Sequence, residues 1–179
     1  LEQRLQTIDP ALDAEQAKWE QSIGKDIRTT WQTVAPVRMR SVGGAKLTAS
    51  PDHILDAAGT NPATETYEIE GTFNLSDLRG LKLDVLPQSE PTVKTLGRSQ
   101  NGNFVLTGLR AEWVEGGKTT PLAFRSASAT FEQKDFPVRN LIDAKSSQGW
   151  AIFPQVHEPA TATFTLATPV STTSTGRLR

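Results

Sequence analysis

The hydrophobic period of the chain changes once. Up to Ile23 the apolar positions fall at helical spacing, and from Trp31 onward they alternate with polar ones. Leu1, Leu5 and Ile8 share one side of a short helix-compatible stretch. Asp9-Pro10 then supplies an N-cap and a first-turn proline, so the spacing predicts a helix from Pro10 to about Ile23, stopping at Gly24. Leu12, Gln16, Trp19 and Ile23 mark its interrupted apolar face. Such a helix docks on the domain it precedes or links it to a larger protein, and the two readings are compatible.

Beyond Trp31 the alternation predicts strands. Val37 and Met39 alternate with Arg38 and Arg40, Gly43-Gly44 turns, and Leu47 and Ala49 begin the return. Ser50-Pro51-Asp52 turns again before a strand over His53–Ala58. Tyr67, Ile69, Gly71 and Phe73 share one face of a strand, with Glu68, Glu70 and Thr72 on the other. Leu81, Leu83 and Val85 repeat the pattern. Leu86–Gly102 reads as a long polar loop. Phe104–Trp113 reads as one strand with a bulge near Gly108. Gly116-Gly117 turns into a strand over Leu122–Phe131 whose register slips between Phe124 and Ala127. Ala160, Ala162, Phe164 and Leu166 alternate with threonines, giving one dry and one wet face. The polar tail Ser171–Arg179 is expected to be flexible.

The pattern organises the chain as a helical lead-in over 1–26, a β domain over 27–170 and a tail over 171–179. One helix followed by short antiparallel strands predicts an all-β jelly-roll sandwich with an N-terminal α-helix. Composition narrows the function. At 179 residues the chain suits one domain with an appendage. A net charge of −1 argues against nucleic acid, whose phosphates need a basic surplus. No apolar run is long enough to insert across a membrane as a helix. The absence of cysteine removes disulfides, thiolate catalysis, Cys-held metals and haem attachment.

Three segments carry a resemblance: Asn101–Trp113 (NGNFVLTGLRAEW), Ser128–Asp143 (SATFEQKDFPVRNLID) and Gly149–Leu166 (GWAIFPQVHEPATATFTL). Together with the N-terminal LEQRLQTIDPALDAEQAKWE, they resemble a domain of large planctomycete proteins. Those proteins combine a cytochrome-c-type segment with two flanking domains. The Ile-Asp…Gly-Trp arrangement of Ile142-Asp143 and Gly149-Trp150 resembles the discoidin, or galactose-binding-like, jelly rolls, which include many carbohydrate-binding modules. The resemblance implies polysaccharide and neighbouring domains as partners, and an extracellular, cell-surface or periplasmic location. Those folds often carry calcium on Asp-Gly-Asp, whereas this chain has Asp143-Ala144-Lys145.

Candidate chemistry follows. Carboxylates such as Glu112, Glu115, Glu132 and Asp135 are scattered along strands and turns, with no pair set for glycosidic hydrolysis. His53 and His157 have no nucleophile elbow or zinc helix beside them, so the chain reads as non-catalytic with no required cofactor. Asp143 either caps its own turn or, with the Ser146-Ser147 loop, contributes to a structural calcium. A sugar site needs an aromatic face and side chains that hold hydroxyls or acidic substituents. Arg98, Asn101, Arg139, Gln155 and His157 are the candidates, with Gln100, Lys134 and Phe153 nearby in sequence. The basic members suit an acidic or sulfated glycan, and a neutral one is compatible. Trp150 reads as core from its place in the resembled motif, whereas Trp31 and Trp113 read either way. The alternative is a structural or protein-interaction domain of a larger protein.

Overall fold

The computed structural model describes residues 14–16, 30–73, 77–87, 94–171 and 176–179. Of the lead-in helix, only residues 14–16 are described, and they are helical and exposed; the rest lies outside the described residues. Residues 1–32 and 33–179 are separate compact units, and the strands belong to the second.

The described strands are β1 (Pro36–Ser41), β2 (Ala45–Ala49), β3 (Leu55–Gly59), β4 (Tyr67–Phe73), β5 (Asp77–Val85), β6 (Val105–Leu106), β7 (Glu112–Glu115), β8 (Lys118–Pro121), β9 (Phe124–Ala129), β10 (Trp150–Ala151), β11 (Ala160–Ser171) and β12 (Gly176–Leu178). A 3-10 turn spans Val138–Leu141. Every strand pair is antiparallel. A five-stranded sheet runs β1-β4-β12-β7-β8, a three-stranded sheet β5-β11-β9, and β2–β3 and β6–β10 form two-stranded pairs. The described residues are therefore mostly β, in antiparallel sheets, as the alternation predicts.

Alternation explains β11. Ala160, Ala162, Phe164 and Leu166 are buried, while Thr161, Thr163 and Thr165 lie on the wetter face. Its neighbour β9 pairs Ser126 with Thr165 but Phe124 with Leu166, so Arg125 is the extra residue. The expected slip between Phe124 and Ala127 is this bulge. Gly116 and Gly117 both take positive φ, 57° and 81°, which a two-residue hairpin between β7 and β8 requires.

Two cores form. The first gathers Val138, Trp150, Ile152 and Phe164, all fully buried, with Leu96, Leu141 and Val156. The second joins Phe73 of β4 and Trp113 of β7 to Leu78 of β5 and Leu166 of β11. Side chains of the five-stranded and three-stranded sheets thus meet in one cluster. Each large aliphatic or Phe side chain so buried contributes about 1.5–3 kcal/mol.

Four expectations need correction. Phe104–Trp113 is not one bulged strand. Residues 107–111 lie between β6 and β7, which belong to different sheets, and Leu109 packs on the first core while Ala111 enters the second. The predicted Leu122–Phe131 strand forms but is shorter, Phe124–Ala129, and Leu122 lies outside it, buried in the second core with its N–H donating to Ala111 O at 2.9 Å. The strand expected from His53 begins at Leu55, since His53 sits at φ 62° inside a turn closed by Ser50. The tail expected to be flexible provides β12, inserted between β4 and β7.

Tyr67 and Ile69 share a face with the buried Gly71 and Phe73 yet remain 43% and 36% exposed. The second core does not reach that end of β4. Leu47, Leu55 and Ala57 of the β2–β3 hairpin line a shallow depression there with Tyr67 and Ile69.

Candidate functional site

Most of the sequence-predicted site residues lie on adjoining loops. The loop over residues 94–103 is tied to the turn over 152–157 by Leu96 N–H donating to Val156 O at 2.8 Å. His157 Nδ1 donates to Lys94 O at 2.7 Å, because a carbonyl can only accept. That fixes the ring and leaves Nε2 directed away from this bond. Gly97 and Gly102 let the first loop fold tightly. A Cβ on Gly97 would overlap the Asn103 carbonyl, and Gly102 takes φ 72°.

Asn103 is the hub. Its Oδ1 accepts from Ile152 N–H at 3.2 Å, its Nδ2 donates to Gln133 Oε1 at 3.1 Å, and its carbonyl accepts from the Ser99 hydroxyl at 2.6 Å. Through Gln133 the loop over 132–136 joins the other two, and Gln133 N–H also donates to Ala151 O at 2.9 Å. Beneath them Trp150 is fully buried, donates from Nε1 to Phe131 O at 2.9 Å, and meets Phe104 edge-on at 5.1 Å between centroids. Ile152 and Val156 turn inward, while Phe153, Gln155 and His157 turn outward. Phe153 is 47% exposed, so an aromatic surface stands on a firmly braced rim.

The candidates have unequal freedom. Arg98 donates from Nη1 to Thr60 O at 3.1 Å and from Nη2 to Gly59 O at 2.7 Å, so its fork clamps the β3–β4 connection. Asn101 Oδ1 accepts from Asn103 N–H, closing its own turn, and shares the single Ser99 hydroxyl proton with the Asn103 carbonyl. The Gln155 side chain is exposed. Arg98, Asn101, Gln155 and His157 therefore lie on two loops bonded to each other, and three of the four side chains, Arg98, Asn101 and His157, already make hydrogen bonds. Arg139 is exposed on the 3-10 turn, and its side chain has no hydrogen bond to the described residues.

Asp143 lies beyond that turn. Its Oδ1 accepts from Lys145 N–H at 2.9 Å and its carbonyl accepts from Ser146 N–H at 3.0 Å. These bonds account for the residue as the cap of its own turn. Among the described residues, no three His, Cys, Asp or Glu side chains group as metal ligands. Calcium needs six to eight oxygens. An occupied carboxylate oxygen next to Lys145, with no second acid grouped beside it among the described residues, is a poor fit to that need.

Trp113 is core, 3% exposed, and Trp31 is 43% exposed. Sequence reasoning missed Asn103 as the hub. The signal that was available is the run Asn101-Gly102-Asn103 before an apolar strand, in which either asparagine can close the turn.

Elsewhere, Glu65 ties β4 to the β1–β2 turn. Its carboxylate accepts from the Ser41 hydroxyl at 2.7 Å, Gly43 N–H at 2.7 Å and Thr66 N–H at 2.8 Å. The Ser41 bond first, then Gly43, holds it below the usual glutamate range. For Asp84, burial pushes the carboxyl up, but the Thr161 hydroxyl and Lys82 outweigh it and leave it lowered. The depression beside Tyr67 holds about 80 Å³. That is far below the ~300–1,000 Å³ of a small-molecule pocket. No protein-family model, curated protein or solved structure significantly matches this chain.

Proposed function

We propose that the chain is a non-catalytic carbohydrate-binding module, a galactose-binding-like jelly-roll sandwich within a larger extracellular, cell-surface or periplasmic protein. The observation that carries the reading is the half-exposed Phe153 beside Gln155 and His157, on loops braced by Asn103. An aromatic face covers the apolar side of a pyranose, and amide and imidazole groups hold its hydroxyls. The meeting of the five-stranded and three-stranded sheets in one core supports the sandwich. An open rim of this kind binds weakly per module, because flexible sugar is ordered for few dry contacts. Affinity electrophoresis against plant and algal polysaccharides, with and without a chelator, tests the reading. Retardation unaffected by chelator is expected, and the absence of retardation by every polymer sinks it.

A second reading, a structural or protein-interaction domain, is favoured by the apolar depression of Leu47, Leu55, Ala57, Tyr67 and Ile69. In that case the neighbouring domains of the parent protein are the partners. Tyr67→Ser then weakens association with them and leaves any glycan binding intact.

A further inference from the structure

We infer that the glycan is neutral: the rim reads an uncharged, hydroxyl-rich chain and not a sulfated or uronic one. This rests on the carbohydrate reading and specifies its ligand class. Tight, oriented capture of a sulfate or carboxylate uses a guanidinium fork with free N–H groups. On the loops that present Phe153, Gln155 and His157, Arg98 is the guanidinium. Both of its terminal nitrogens already donate, to the Thr60 and Gly59 carbonyls. Its main chain is pinned too, its carbonyl accepting from Asn61 Nδ2 at 3.0 Å. Turning this fork toward a ligand would break the clamp on the β3–β4 connection.

What faces outward is different chemistry. Phe153 offers an apolar ring, Gln155 an amide that both donates and accepts, and His157 the nitrogen not bonded to Lys94 O. These groups match the C–H face and the hydroxyls of a neutral pyranose. The exposed charges on these loops and on the adjoining 3-10 turn sum to zero: Lys94, Lys134 and Arg139 against Glu132, Asp135 and Glu158. The free Arg139 guanidinium is thus offset by a carboxylate, and no net excess of cations concentrates a polyanion.

The test uses the full chain with matched pairs of polymers: a neutral galactan beside its sulfated form, and a neutral glucan beside a polyglucuronate, each at low and high salt. The neutral members are expected to retard the protein, with affinity changing less than about twofold with salt. Phe153→Ala is expected to weaken binding about tenfold, and Gln155→Ala to weaken it in the same direction. Lys134→Ala is expected to leave binding unchanged. Stronger binding to the sulfated or uronic member, falling as salt rises, overturns the neutral assignment and leaves the carbohydrate reading standing. Binding to no polymer of either kind removes both.

Discussion

Gly176 stands directly against the indole of Trp113: a Cβ at Gly176 would overlap the six-membered ring. The contact explains why a three-residue strand fits between β4 and β7 over a bulky core residue. Gly176→Ala is expected to destabilise the fold by about 1–3 kcal/mol through overpacking. The entropic gain from restricting the unfolded chain, about 0.4–1 kcal/mol, does not offset this. Gly108→Ala is the control, since a Cβ there meets open space. Its effect in a urea titration should stay within about 0.5 kcal/mol of wild type. Equal stabilities for the two variants would contradict the packing.

Strand β12 is placed by charge as well as by shape. Arg38 and Arg40 of β1 face Glu70 and Glu68 of β4, and Arg177 of β12 pairs with Glu70 at 2.7 Å. Arg179 bonds Glu112 from Nε at 3.0 Å. Basic and acidic columns therefore alternate across β1, β4, β12 and β7. Exposed ion pairs contribute little singly. Arg177→Ala is expected to cost much less than deletion of residues 176–179, which uncovers Trp113. Tryptophan emission should shift to the red on deletion and stay put in the point variant. A deletion without that shift would remove β12 from its assigned place.

Glu65 gives the β1–β2 turn an acid sensitivity. Its carboxyl is lowered from 4.5 in the folded chain, so the folded state binds this proton less readily than the unfolded one. The stabilisation is complete above the unfolded value and is lost as pH falls through the lower, folded one. Amide exchange at Gly43, corrected for its intrinsic pH dependence, is expected to show protection falling as pH drops below 4.5. Glu65→Gln should lower that protection at neutral pH and flatten its response to acid. A wild-type profile unchanged by the substitution would show that the bond to Gly43 does not govern the turn.

Much of the strand architecture is legible from alternation because one dry face recurs every second residue, as in β11. What alternation misses is where a chain leaves one sheet for another. Leu109 and Ala111 look like one strand face yet serve different cores. Strand β12 carries a single leucine, too little to register, and its place depends on Gly176 meeting a tryptophan distant in sequence. The loop candidates were legible as residue types only. Sequence shows that Arg98 is an arginine in a loop, but not that the Gly59 and Thr60 carbonyls occupy it.

Asn103 decides whether the rim is a rigid surface or a set of separate loops. Replacing it with Ala leaves Ile152 N–H and Gln133 Oε1 without their partner, both in a half-buried setting. An unsatisfied buried group costs about 1–3 kcal/mol. Asn103→Ala is therefore expected to lower stability by about that much, and Asn103→Asp by less, since Oδ1 can still accept from Ile152 while the donor to Gln133 is lost. Equilibrium unfolding measures the ranking, and amide exchange locates it: faster exchange is expected at Ile152 and Gln133, with the β11 ladder protected. Phe153 keeps its exposure in both variants but loses its fixed support. Glycan affinity should then fall in the same order as the exchange protection of Ile152. If affinity holds while that protection is lost, the aromatic surface works without its brace.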